Sequence, residues 1–195
     1  MDKEKIKEAW KTIIREVGDD PDRIGMKDTP KRIANMYGEL FRGYDSEQKP
    51  KVTTFPNGMD NITYDQMITD EGQFYSQCEH HGVPFFGDYY FAYIPSKTGK
   101  VLGLSKVARI VDYFSSKFQI QERLVSEVVE ALWEALSLDL PDGDEPIGMA
   151  LMMKAKHLCK CMRGAKKDGY MRTVCLKGAF KDKQTTREEF MRFAK

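Results

Sequence analysis

An α+β fold follows from three features of the chain. An aromatic-rich stretch, FFGDYYFAYI at 85–94, reads as a strand; two amphipathic helical stretches follow it; and an apolar strand with a hairpin partner lies beyond them. A strand or hairpin, two helices and then a hairpin make α+β the best class.

Taken from the N-terminus, Ile6, Trp10, Ile13, Ile14 and Val17 recur at helical spacing, and Gly18 supplies a stop. A second helix opens at DTPKRIANMYGELF, where Asp28 or Thr29 can cap and Pro30 suits the first turn. Its apolar stripe is Ile33, Met36, Tyr37 and Leu40. Residues 48–65 are polar and turn-rich, with Pro50, Pro56 and Gly58, and are expected to link an N-terminal helical segment (1–47) to a main domain (66–195). The strand at 85–94 ends in the turn-like PSKTGK. Ser105 can cap a helix running to about Lys117, with Val107, Ile110, Val111 and Phe114 inward. Gln121 to Leu138 forms another on Leu124, Val125, Val128, Leu132 and Leu136. After PDGDEP, alternation predicts a strand from Ile147 to Cys159, with Met149, Leu151, Met153, Ala155, His157 and Cys159 on one face. Tyr170–Phe180 is its expected hairpin partner, and Thr185–Phe193 a short final helix.

Length and composition bound the function. With 195 residues, 41% of them hydrophobic, the chain can bury a real core. Its 31 basic and 30 acidic side chains leave a formal charge of +1, so no overall field attracts nucleic acid or an anionic membrane. The N-terminus MDKEKIKEAW lacks the apolar core of a secretory signal, and the longest apolar run, IGMALMM, is far short of a bilayer of about 30 Å. A cytoplasmic location is expected. The four cysteines there would stay reduced, which favours a metal or catalytic role over a disulfide framework.

The chemistry concentrates in two motifs. All three histidines lie within three residues of a cysteine, in CEHH at 78–81 and HLC at 157–159. Zinc prefers thiolate sulfur and imidazole nitrogen; Cys78 and His81 can reach one ion from a single turn, and Cys159 from a distant strand completes a three-ligand set with one position open. His80 and His157 then stand beside the ion as general acid and base. A closed structural site with Cys161 or His157 as fourth ligand, and buried thiols with no metal at all, are the bland alternatives. A second constellation suits phosphate: Ser105 at a helix N-terminus, Lys106 and Arg109 on about one face, and Arg163 four residues beyond Cys159. By themselves such cations are usually a solvated face.

Together, FYSQCEHHGVPFFG, LGLSKVARIV, QIQERL and HLCKCMRG closely resemble GTP cyclohydrolase I, in order, from DTPKRIANMY through TREEF. The resemblance implies a tunnelling fold whose subunits join into a ring, usually a decamer of two stacked pentamers with active sites at subunit interfaces. It also implies conversion of GTP and water to 7,8-dihydroneopterin triphosphate and formate, a pterin feeding folate, biopterin or deazapurine routes. On that resemblance Cys78, His81 and Cys159 bind Zn2+ to activate water for attack on C8 of the guanine, and His80 and His157 shuttle protons. Glu122, with Gln121, reads the guanine edge, and Ser105, Lys106, Arg109, Arg163 and Arg32 hold the triphosphate. The chain departs from relatives at Asn35, where many carry a second basic residue, at Cys161, where most carry an apolar one, and around Val174 and Cys175. A related cyclohydrolase with another metal or product, and a non-catalytic zinc module, are the rival readings.

Overall fold

A computed structural model describes residues 1–59 and 61–195; Asp60, inside the expected linker, lies outside the described residues. The architecture is α+β. Helix α1 (Lys3–Glu16) starts where the Asp2 carboxylate accepts the Lys5 amide at 3.1 Å and ends before Gly18. Helix α2 (Thr29–Leu40) carries Pro30 in its first turn and has no side-chain cap from Asp28. The two pack as a hairpin through Trp10 and Tyr37, and two short helical turns (42–44 and 46–48) follow. Phe41, 4.7 Å from Phe118, and Gly43, whose amide donates to the Ser116 carbonyl at 2.8 Å, join this hairpin to the rest of the chain.

Next come strands β1 (Thr54–Pro56), β2 (Ile68–Cys78), β3 (Pro84–Ile94) and β4 (Lys100–Leu102), and helix α3 (Lys106–Ser115). Strand β5 (Phe118–Gln119) and helix α4 (Gln121–Ser137) follow, then strand β6 (Gly148–His157) and helix α5 (Leu158–Cys161). Strand β7 (Met171–Gly178) and helices α6 (Ala179–Asp182) and α7 (Gln184–Phe193) close the chain. The five-stranded sheet has the order β5-β2-β3-β6-β7, antiparallel except where β5 runs parallel to the end of β2. The stretch expected to be a linker carries β1, which pairs with β4. The sequence pattern also failed to show β2: only Phe74, Ser76 and Cys78 of its inward row are buried, so the apolar alternation is confined to one end.

Helices α3 and α4 cover one face of the sheet. Val107, Ile110, Leu124, Val128 and Leu132 meet Phe74, Tyr89, Phe91, Leu151 and Met153 there. The other face is covered at one end by α6 and α7, where Phe180 and Phe190 pack on Ala92, Ala150 and Met152. Strand β6 is therefore buried on both sides, which is why it reads as an unbroken apolar run rather than a clean alternation.

The strand expected to reach Cys159 stops at His157. Cys159 sits in the single turn of α5, so the shared strand face proposed for His157 and Cys159 does not exist, and Arg163 lies beyond that turn, off any strand. The reason is that β3, the partner of β6, begins at Pro84 and its last match is Phe85 opposite His157; the chain past that point has no ladder to continue and closes its own helical turn.

Gly87 lies where β3 and β6 come closest: a Cβ there would stand 2.0 Å from the Lys154 carbonyl oxygen. Gly87→Ala is expected to cost about 1–3 kcal/mol, the range for forced overpacking, as a lowered midpoint in urea unfolding. An unchanged midpoint would mean that the strands can part without cost.

Candidate metal centre and active site

The turn between β2 and β3 is built by backbone bonds. The Cys78 amide donates to the Val83 carbonyl at 2.9 Å and the Gly82 amide to the Cys78 carbonyl at 2.8 Å, with Gly82 at φ +65°, a conformation glycine adopts freely. This turn folds His81 back on Cys78, Nδ1 to Sγ at 3.7 Å. Strand pairing of β3 with β6 then delivers Cys159, and the donor atoms of Cys78, His81 and Cys159 all lie within 4.8 Å of one another. At zinc bond lengths of about 2.3 Å to sulfur and 2.1 Å to nitrogen, tetrahedral ligands stand roughly 3.6 Å apart, so this donor set fits such an ion with small adjustments. Burial, followed by the neighbouring Cys78 thiol, pushes the Cys159 thiol above its ordinary pKa, so an incoming ion displaces a proton there.

His157 is held by two contacts. Its ring stacks on Phe85 with centroids 4.6 Å apart and planes 2° from parallel. Its Nε2 lies 2.7 Å from Oε1 of Gln121. The Gln121 amide nitrogen faces the Met153 carbonyl at 2.9 Å, the Met171 carbonyl at 3.3 Å and the Thr173 hydroxyl at 3.0 Å. Since carbonyls only accept, that nitrogen is fixed as the donor and Oε1 as the acceptor, so His157 carries its proton on Nε2 and leaves Nδ1 bare. Burial lowers the His157 pKa, against the opposing Glu122 carboxylate and with a further push from Lys160.

Gln121, expected with Glu122 to contact the substrate, is 1% exposed, and its carboxamide is bonded within the protein, to His157 and to carbonyls of β6 and β7. Glu122, next to it at the start of α4, is exposed and close enough to His157 to raise its pKa. His80 is exposed on the metal turn, its ring 6.2 Å from that of His81. Arg163, also exposed, donates to the Cys159 carbonyl at 3.4 Å. A 430 Å³ cleft opens beside His157 and Cys159 and is lined further by Lys160, Gly169, Tyr170 and Met171. Nothing in the spacing marked Phe85 or Tyr170 as neighbours of this site, because only strand pairing brings them there, whereas Lys160 follows Cys159 directly in the chain.

Of the phosphate constellation, Arg163 is at this end and the α3 residues are not. Ser105 precedes α3 and Lys106 opens it, beside a small cleft lined by Ile68, Tyr93, Leu104 and Val107. Cys78 and Ile68 are the two ends of β2, ten steps apart, or about 33 Å at ~3.3 Å per residue. Ser105 and Lys106, with Arg109 one turn further along α3, therefore belong to the opposite end of the sheet. Arg32 stands apart from both groups, 75% exposed on α2 and paired with Asp28 at 3.7 Å.

Comparison with known proteins gives a consistent result. The family model described as GTP cyclohydrolase I matches residues 6–195. The protein named GTP cyclohydrolase 1 from Caldanaerobacter subterraneus subsp. tengcongensis is 42% identical over 192 residues, covering 98% of this chain and 96% of that one. Its namesakes from Thermoanaerobacter pseudethanolicus and Carboxydothermus hydrogenoformans are 41% and 40% identical, again over 98% of this chain and 96% and 94% of theirs.

The Gln121 contact has a spectroscopic consequence. At neutral pH the 15N signals of His157 should report a protonated Nε2 and a bare Nδ1, and Gln121→Leu should shift both toward the mixed-tautomer average. Identical signals in the variant would show that the glutamine does not select the tautomer.

Proposed function

Because the chain belongs to the GTP cyclohydrolase I family, we propose that it converts GTP and water to 7,8-dihydroneopterin triphosphate and formate in the cytoplasm, as a ring-forming homo-oligomer. The observation that carries the reading is the convergence of Cys78, His81 and Cys159 beside an oriented His157 and an open cleft. Those three residues would hold Zn2+, which in such a site supplies Lewis-acid activation of water near neutral pH.

The remaining chemistry falls to side chains of the chain. His157 Nδ1, bare in the tautomer set by Gln121, accepts and returns a proton as the imidazole ring of the purine opens, and His80 is the second proton carrier. The Glu122 carboxylate accepts from guanine N1–H and the 2-amino group; adenine presents no such donor pair and leaves a carboxylate unpaired. Arg163 offers its guanidinium to a phosphate at this end of the subunit.

Ser105, Lys106 and Arg109 are too distant along β2 to reach the same nucleotide within one chain. We assign them to a substrate held mainly by a neighbouring copy, so that each active site takes its metal, proton carriers and guanine contact from one subunit and its α3 cations from another. The free outer edge of β7 and the largely unpaired outer edge of β2 favour such sheet-to-sheet assembly. Residues 66–195 then form the catalytic unit. Arg32 keeps only a peripheral role, with its guanidinium engaged by Asp28.

Purified protein incubated with GTP should release formate and yield a pterin that fluoresces after oxidation, with zinc found on metal analysis; absence of both products would refute the assignment. His80→Ala and His157→Ala should each lower turnover at least ~100-fold, the lower end for a general acid or base, while keeping one bound ion per chain. Undiminished turnover in both would remove the proton-carrier role. Subunit sharing is tested by co-assembly: Lys106→Ala and His157→Ala are each expected to be nearly inactive alone and to regain activity when dissociated and reassembled together. No recovery in verified mixed assemblies would mean that the α3 cations do not serve a neighbouring copy's site, and would refute the sharing.

A further inference from the structure

We propose that Arg123 and Glu79 form a latch that positions the metal-binding turn; the inference rests on Cys78, His81 and Cys159 being metal ligands. Glu79 lies between ligands Cys78 and His81, and its carboxylate accepts a hydrogen bond from Nη2 of Arg123 on α4. The same guanidinium donates through Nε to Oε1 of Gln119 at 2.9 Å. Gln119 is completely buried, and its amide nitrogen donates to the Glu127 carboxylate at 2.6 Å and to the Phe114 carbonyl at 3.1 Å. Lys117 balances Glu127 at 2.9 Å. On its backbone side, Gln119 pairs with Cys78 and accepts from the Glu79 amide at 3.1 Å.

The turn is therefore gripped twice by one buried residue, once through the backbone of Glu79 and once through Arg123 to its carboxylate. Exposed ion pairs contribute little to stability, and Glu79 and Arg123 are 32% and 42% exposed. The role of this pair is geometric. A planar guanidinium held at Nε has only one place to present Nη2, and the carboxylate bound there determines where the flanking ligand positions sit. Residues that hold ligands in this way characteristically change metal affinity tenfold or more when removed. Glu79 also comes within 3.9 Å of His80 Nε2, so the latch steadies that ring as well.

The test is a double-mutant cycle read by metal binding rather than turnover. Zinc affinity of the full chain is measured by competition with a chromogenic chelator, and site geometry by the visible ligand-field bands of the Co2+-loaded protein. Glu79→Ala and Arg123→Ala should each weaken zinc about tenfold and alter the Co2+ bands in the same way. The double variant should be no weaker than the weaker single variant. Arg123→Lys, which reaches Glu79 but loses the fork to Gln119, should fall between wild type and Arg123→Ala. Should Arg123→Ala fail to fold, Glu79→Ala at an exposed carboxylate decides the matter alone. Wild-type affinity and bands in the single variants, tighter zinc in Arg123→Ala, or additive losses would each overturn the latch. A wild-type chain that binds neither metal would overturn the metal centre itself.

Discussion

The antiparallel ladder between β3 and β6, ending with Phe85 opposite His157, is the constraint on which the gathering of Cys78, His81 and Cys159 depends. The ladder fixes where the turn carrying Cys78 and His81 stands relative to the α5 turn carrying Cys159, and it places the Phe85 ring under His157. Register in a sheet moves in whole residues, and a slip of one would send every side chain to the opposite face. Burial of β6 between α3 and α4 on one side and α6 and α7 on the other makes such a slip costly, because Met149, Leu151 and Met153 would exchange places with Ala150 and Met152. The donor residues are thus held in place by the core, of which Cys78 is itself a buried member and against which Cys159 packs.

Around this frame the polar groups are arranged by what they can donate. Gln121 and Gln119 are both buried, two residues apart before and at the start of α4, and each links a strand to a functional group. Gln121 ties β6 and β7 to His157; Gln119 ties the metal turn to Arg123. Neither carries charge, so burying them needs only hydrogen-bond partners, and each amide nitrogen and oxygen has one. Neutral amides are suited to holding charged or titrating groups without adding a field of their own.

Ser105, Lys106 and Arg109 lie at the other end of β2 from Cys78, His81 and Cys159. A nucleotide spans from a base to a charged tail, and one β2 length is too great a distance for it. If copies join at the outer edges of β2 and β7, as proposed above, assembly and substrate binding become a single requirement.

Much of this was legible in the residues alone. The cysteine and histidine spacing of CEHH and HLC singled out the three donor atoms that the structure gathers within 4.8 Å. Helical periodicity gave α1 to α4 and α7 to within a few residues, because amphipathic stripes are local and repeat along the chain. Strand β2 and the end of β6 were not legible, since which face of a strand is covered, and how far its ladder runs, depend on partners remote in sequence. The same is true of Gln121: its motif suggested a substrate contact, but its carboxamide is committed by carbonyls of β6 and β7 more than thirty residues away. Sequence alone determined the kinds of atoms available to a metal and a phosphate, because those depend on residue type and short spacing. Tertiary structure alone decided which of them meet, because three-dimensional distance is set by strand pairing and cannot be counted along the chain.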